Sequence, residues 1–299
     1  MTTLLQNFDS GHQDMVHDTQ LDYYSRRIAT CSSDGTLKVF DVAGDQPALL
    51  ANLEGHRGPV WQVAWAHPKF GSMLASCSFD NTVIIWKESD GGFSQVYQSS
   101  PTLHTASVNG VAWAPYEAGA VLACASSDGS VSIIEQQQDG TWADSKISSV
   151  DPVGCTSISW APAPPPGALI SEKAPGQPVK RFAVGGCDNT VKTYACNNGT
   201  WALDRRLQEH ADWVLDVAWA PNQGLPENSI ASAGQDGKVF VWREKSGGGW
   251  DKKLVKDFGS PVWRLSWSIT GNILAVADAS NNITLWKEVT GGQWQQVTQ

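Results

Sequence analysis

Cationic side chains are in short supply: 21 Lys and Arg stand against 30 Asp and Glu, a net charge of −9 over 299 residues. Affinity for a phosphate backbone rests on Lys and Arg releasing counterions, so direct binding to nucleic acid or to an anionic lipid surface is not expected. Long apolar runs are missing. No stretch approaches the roughly 18 residues of a membrane-spanning helix, and MTTLLQNFDSGHQDMVHD has neither the basic start nor the apolar run of a signal peptide. The six cysteines (Cys31, Cys77, Cys124, Cys155, Cys187 and Cys196) include no CxxC pair. They are expected as reduced thiols, four of them small side chains in short apolar runs just before an Asp, and not as zinc ligands. Gly-x-Ser-x-Gly, His-Glu-x-x-His and P-loop motifs are all absent, so no catalysis, cofactor or metal is expected. Long 3.6-residue apolar periods are absent too, which leaves helix a minor element. The 17% charged content argues against a disordered chain or coiled coil.

Tryptophan, by contrast, is abundant, with 15 residues against three Met. Its placement is periodic. Six segments share one plan, an apolar strand, a turn and a second strand: CSSDGTLKVF, CSFDNTVIIW, ASSDGSVSII, GGCDNTVKTY, AGQDGKVFVW and DASNNITLWK. Their turns lie at Asp34, Asp80, Asp128, Asp188, Asp236 and Ser280, at a spacing of roughly 45 residues with one longer interval before Asp188. A second pattern precedes five of them and ends at Trp65, Trp113, Trp160, Trp219 and Trp267. A third follows, a Gly and then Phe93, Trp142, Trp201, Trp250 or Trp294. Alternation such as V-x-V-x-W is that of a half-buried strand, and Asp-Gly and Asp-Asn supply the positive φ of a hairpin turn. Each unit therefore predicts four antiparallel strands. Such a sheet cannot cover its own two faces, so the units must stack about an axis as the blades of a six-bladed WD40-type β-propeller. Gly55-His56 and the strand ending Ile85-Trp86 resemble the WD repeat's frame, with Lys87 in place of its Asp.

The strand count leaves a remainder. Residues 1–10 align with the outer strand preceding the second unit, placing Leu4, Leu5 and Phe8 like Leu49, Leu50 and Leu53, while the last unit already carries its own outer strand at Trp294. The single domain, 1–299, then divides into blades at about 12–53, 56–100, 104–148, 153–207, 210–256 and 259–299, with 1–10 an additional outer strand and 161–180 a Pro-rich surface loop. Seven outer strands and six inner sets predict an open ring, completed in trans by a partner's β-structure, with Leu4, Leu5 and Phe8 as candidate contacts. A closed WD40 adaptor built of six blades alone is the alternative.

HDTQLDYYSRRIATCSSDGTLKVFDV (17–42), GHRGPVWQVAWAHPKFGSMLASCSFDNTVIIWKE (55–88) and HADWVLDVAWAPNQGLPENSIASAGQDGKVFVW (210–242) carry a more specific likeness. Over essentially its whole length the chain resembles the small propeller subunit of the outer cage of coat protein complex II (COPII). That resemblance implies a structural role in ER-to-Golgi transport and a blade inserted by a large α-solenoid cage protein. It implies a second pool in the Y-shaped nuclear pore scaffold, whose own solenoid protein donates a blade, and a place in a nutrient-signalling assembly. It implies location at the cytoplasmic face of the endoplasmic reticulum and on vesicles, through the coat, as well as at the nuclear envelope and in the cytosol.

His56, Asp80 and Trp86, and His210 with Asp236, mimic active-site clusters but suit a structural use, the turn Asp accepting from the His and the Trp N–H meeting a hydroxyl such as Ser76 or Ser78. Trp242 and Trp286 close the same strand in later units. His12, His17, His67 and His104 are read as loop residues near blade ends. Phe93 and its four equivalents are expected to pin the outer strand to its blade.

Overall fold

A hairpin turn of two residues needs a left-handed backbone, and only Gly or Asn adopts it cheaply. Gly35 (φ 80°) and Asn81 (φ 69°) supply it beside Asp34 and Asp80. The neighbouring carboxylate fixes each turn, accepting the backbone N–H of Thr36 at 2.9 Å and of Thr82 at 2.9 Å. Such hairpins join the second and third strands of six four-stranded antiparallel sheets. The computed structural model describes residues 7–90, 92–163, 179–221, 228–245, 248–290 and 292–297. Most of the Pro-rich insert, and Leu4 and Leu5, lie outside the described residues.

Two compact units divide the chain, residues 1–150 and 151–298. In the first, sheet 1 comprises Val16–Leu21, Arg27–Ser32, Thr36–Asp41 and Ala48–Glu54. Sheet 2 comprises Val60–Trp65, Met73–Ser78, Val83–Ser89 and Gly92–Gln98, and sheet 3 Val108–Trp113, Val121–Ser126, Val131–Gln136 and Trp142–Ile147. In the second unit, sheet 4 comprises Cys155–Trp160, Arg181–Gly186, Thr190–Asn197 and Thr200–Gln208. Sheet 5 comprises Val214–Trp219, Ser229–Gly234, Lys238–Glu244 and Trp250–Asp257, and sheet 6 Val262–Trp267, Ile273–Asp278, Ile283–Val289 and Gln293–Gln296. Helix among the described residues is two single 3₁₀ turns, Pro68–Phe70 and Tyr116–Ala118.

The first strand of every sheet carries a β-bulge near its start, as at Val60/Gln62 and Val214/Asp216. The extra residue breaks simple alternation, so Val60 and Val63, three apart, are both buried. It also turns the next side chain toward the following sheet. Asp18 accepts from Val63 N–H at 3.3 Å, Gln62 from Val111 N–H at 2.8 Å and Asp216 from Leu265 N–H at 2.8 Å.

Within each unit the cores lie between successive sheets. Sheet 1 offers a leading face of small side chains (Ala29, Cys31, Val39), and sheet 2 meets it with large ones (Leu74, Ile84, Trp86). Ala75, Cys77 and Val83 of sheet 2 meet Leu122 and Ile134 of sheet 3 in the same way. In the second unit Ala183 and Val191 of sheet 4 pack on Ile230 and Trp242 of sheet 5, and Ala231, Ala233 and Val241 of sheet 5 on Leu274 and Trp286 of sheet 6. Small against large keeps the layers close and fills the space between them. Cys31, Cys77, Cys124 and Cys155 are buried in these layers, Cys187 and Cys196 are half-buried, and all six are free thiols.

The expected strand over 1–10 is not there in its described part. Residues 7–10 form no strand; with no neighbouring strand in this chain to pair with, they run as irregular backbone, and Phe8 sets its ring on Phe40 at 5.1 Å.

Candidate partner-binding surface

One relay of polar side chains recurs under the loops. In sheet 2, Trp86 Nε1–H donates to Ser76 Oγ at 3.0 Å, Ser76 lies 2.8 Å from His56 Nε2, and His56 Nδ1 lies 3.1 Å from Asp80. Sheet 5 repeats it through Trp242, Ser232, His210 and Asp236, at 2.9, 2.9 and 3.0 Å. With the imidazole neutral, every donor meets an acceptor, which is what burial of such groups demands. The arrangement locks a loop onto a sheet. No substrate could reach these buried rings.

His12 and His104 belong to the same class, contrary to their reading as loop residues. His12 bridges Asp34 at 2.8 Å and Thr30 at 2.9 Å, with Phe40 in the place of the Trp. His104, fully buried, bridges Asp128 at 3.5 Å and Ser132 at 2.8 Å. Gly11-His12 repeats Gly55-His56, a signal present in the sequence. His104 lacks the Gly, and its hydroxyl stands on the third strand, where Cys124 has taken the usual position on the second. Asp188 has no His at all: the buried Lys192 ammonium lies between it, at 2.7 Å, and the buried Asp151, at 2.6 Å. In sheet 6 the turn acceptor is Asp278, not Ser280, taking the N–H groups of Ser280 and Asn282 at 2.9 and 3.0 Å, and Trp286 donates to Thr284 at 2.9 Å.

These relays tie stability to pH. Burial pushes His104 and His210 below the ordinary histidine value, against the pull of Asp128 and Asp236. The unfolded chain then binds protons that the folded chain refuses, so stability falls as pH drops below about 6.5. For Asp80, burial alone would raise the carboxyl, but hydrogen bonds from His56, Thr82 and Arg57 N–H outweigh it and hold the group well below the usual carboxylate range. Asp34 and Asp128 behave alike. Their contribution is complete above about pH 4 and is lost as pH falls through the folded value. The urea midpoint should therefore decline from pH 7 to 5 and more steeply below 4. A flat midpoint between 7 and 5 would contradict buried neutral histidines.

The first-strand Trp residues are less buried than their motif implies. Trp160 and Trp219 are buried, whereas Trp65, Trp113 and Trp267 are half-buried, because the indole sits at the strand end and reaches across to the preceding sheet. Trp65 Nε1–H donates to Gln20 O, Trp113 to Ala64 O and Trp267 to Ala218 O, each at 3.0 Å. Trp219 Nε1 has no partner among the described residues; the Arg181 guanidinium lies 5.2 Å from its ring. Each first-strand ring also meets the aromatic residue opening its own fourth strand, from Trp219 and Trp250 at 5.9 Å to Trp65 and Phe93 at 6.3 Å. Trp113 with Trp142, Trp160 with Trp201 and Trp267 with Trp294 complete the set. The pairs tie the outer strand to the inner one.

Two sheet faces have no such cover. In sheet 5 the leading face is sealed, Val239 being 0% exposed and Val241 2%. The corresponding positions of sheet 6 are Ile283, 73% exposed, and the half-buried Leu285, with half-buried Ala275 and Ala277 beside them. Trp263, at the bulge, is 52% exposed. On sheet 1 the trailing face exposes Val16 and Thr19, and Phe40 is covered by Phe8. Exposed apolar area of this extent marks an interaction surface. Among the described residues no three His, Cys, Asp or Glu side chains cluster as metal ligands, and no helix is long and apolar enough to cross a membrane.

The repeat family described as WD domain, G-beta repeat, matches residues 2–41, 47–87, 96–135, 201–243 and 248–287. A protein transport protein SEC13 from Mycosarcoma maydis is 45% identical over 89% of this chain and 86% of its own length. SEC13 homolog A of Arabidopsis thaliana is 53% identical, over 89% of each chain. The human SEC13 homolog is 48% identical, over 90% of this chain and 85% of its own. The chain belongs to the SEC13 family of WD-repeat proteins. Its fold class is accordingly the all-β WD40-type β-propeller, as the repeats predict, with the six sheets as its blades. Sheet 4, where Lys192 replaces the relay histidine, is the stretch that the repeat family leaves unmatched among those SEC13-type blades.

Proposed function

We propose that this chain is a non-catalytic structural subunit of a protein-transport coat, the COPII outer cage of ER-to-Golgi vesicles. Its mechanism is rigidification: the propeller accepts a β-blade from a large α-solenoid protein and stiffens it. The same act serves a solenoid protein of the Y-shaped nuclear pore scaffold and a nutrient-signalling complex, which places the chain at the cytoplasmic face of the endoplasmic reticulum, at the nuclear envelope and in the cytosol. Association with membranes is peripheral, through the coat.

The observation that carries this reading is the exposed leading face of sheet 6, apolar at Ile283 and Trp263 where every earlier position of that type in its unit is sealed. A partner's sheet laid there would bury it as sheet 6 buries sheet 5. Two further features support the reading. The first matched WD repeat begins at residue 2, as the second begins at residue 47 just ahead of an outer strand, so residues 1–10 stand as the outer strand of a further blade. Phe8 covers Phe40 as Leu53 of the preceding outer strand covers Trp86. An inserted blade with two apolar faces belongs with obligate interfaces of roughly 2,000–5,000 Å².

Hydrogen exchange tests it. Amides of Ile273–Asp278 and Ile283–Val289 should be poorly protected in the isolated chain and strongly protected once the solenoid's blade-donating fragment is added. The complex should also melt higher than either component, because binding stabilises only the folded state. Equal protection in both states would refute insertion.

A further inference from the structure

The first unit presents a strip of stacked rings that the blade-insertion reading does not use. The connections between first and second strands of sheets 1, 2 and 3 bring together Tyr24, Tyr23, His67 and Tyr116, with successive ring centroids 5.2, 5.0 and 4.4 Å apart. Tyr23 is 67% exposed, Tyr24 64% and Tyr116 41%. The strip is held rigidly. Asp22 accepts the N–H groups of Arg26 at 2.7 Å and Arg27 at 3.1 Å, closing the turn that carries the two tyrosines. His67 Nδ1 accepts Lys69 N–H at 3.2 Å, and Lys69 Nζ stands 5.3 Å over the Tyr116 ring. Behind Tyr23 and Tyr24 opens a groove of about 270 Å³ reaching Trp65.

Rigid exposed tyrosines around a groove give large contact area at low entropic cost, the property of a recognition surface. Charge selects the occupant. Residues 1–150 carry 16 Asp and Glu against seven Lys and Arg, so the whole net charge of −9 resides in this unit. Stacking of nucleic-acid bases, and contact with anionic lipid, are opposed by that field. A quaternary ammonium in the groove is opposed by Arg26 and Arg27, which line it. An uncharged, apolar, already extended backbone meets neither objection. Polyproline II has its side chains and its unpaired carbonyls available at once, and tyrosine-lined grooves take its pyrrolidine rings between ring faces while the phenol O–H groups donate to its carbonyls. Basic residues at its ends answer the acidic unit around the groove.

We propose that this tyrosine strip docks an extended, proline-rich segment flanked by arginine or lysine. The groove then takes prolines between Tyr23, Tyr24 and Trp65, and the strip through His67 to Tyr116 receives the rest of the segment.

The test is a titration of the full chain into a fluorescein-labelled heptapeptide with four prolines between two terminal arginines, read by anisotropy. Saturable binding is expected in the range of about 10–100 μM. Tyr23→Ala and Tyr116→Ala should each weaken it at least about tenfold, as loss of an aromatic anchor does. Both positions are surface loops, so circular dichroism melts should match the wild type. A peptide with alanine for proline should bind at least about tenfold more weakly, and one with terminal glutamates should not bind. The proposal is overturned by no saturation at 1 mM, by equal affinity of the tyrosine variants, or by equal affinity of the alanine peptide. None of these readouts depends on blade insertion.

Discussion

An Ile283→Asp variant should melt with the wild-type chain yet fail to retain a blade-donating solenoid partner. At 73% exposure the side chain contributes little to the isolated fold, so a charge there is hydrated and harmless. Covered by a second sheet, the same carboxylate would lose its water with no cation to meet it. Burying an unpaired charge costs at least about 3 kcal/mol, or roughly two orders of magnitude in Kd. Size-exclusion chromatography of co-expressed proteins gives the answer. Co-elution of the variant with the partner at wild-type strength would show that sheet 6 is not the covered face, whereas a variant that unfolds would show that Ile283 is packed in the free chain.

Trp86→Ala should be the most damaging single truncation within a blade, at about 3–5 kcal/mol. The indole is buried between sheets 1 and 2, and its N–H holds Ser76, which in turn meets His56. Removing it opens a cavity and leaves the relay short of one donor. Trp65→Ala, though drawn from an equally regular motif, should cost roughly half as much, because that ring is half-buried and its loss chiefly removes one hydrogen bond, to Gln20 O, and one ring pair, with Phe93. Urea midpoints of the two variants order them. A Trp86→Ala cost below ~1 kcal/mol, or the reverse order, would contradict the packing described.

The contrast shows where sequence reasoning reached and where it stopped. Turn chemistry is local, so Asp34-Gly35 and Asp80-Asn81 marked their hairpins without any knowledge of the fold. Ser76 as acceptor for Trp86 was likewise within reach, since antiparallel pairing of adjacent strands puts the two together. The bulge in each first strand was not, because its cause is a contact with the next sheet, and it turned an alternating motif into one with Val60 and Val63 on the same side. His12 and His104 were overlooked because the relay was sought through the Gly-His pair and a hydroxyl on the second strand, and His104 uses neither. Lys192 between Asp151 and Asp188 joins residues 41 and 4 positions apart, a link that the pattern of the other blades gave no reason to seek. The exposed face of sheet 6 follows from strand counting only as an expectation; its apolar character is a matter of which side Ile283 falls on.

The indole donors of Trp65, Trp113 and Trp267 all point from a later sheet back to the one before it. The stack thus has a direction, like bricks with a stud on one side and a socket on the other. Ser266 holds in sheet 6 the place that Ala64 and Ala218 hold as acceptors, while Leu21 of sheet 1 stands where later sheets carry the donor. Unlike ends of this kind permit head-to-tail growth of one molecule upon the next, a heterologous contact with no built-in limit. A blade supplied by another protein would act as a terminator of such chains, fixing the size of the particle as well as its stiffness.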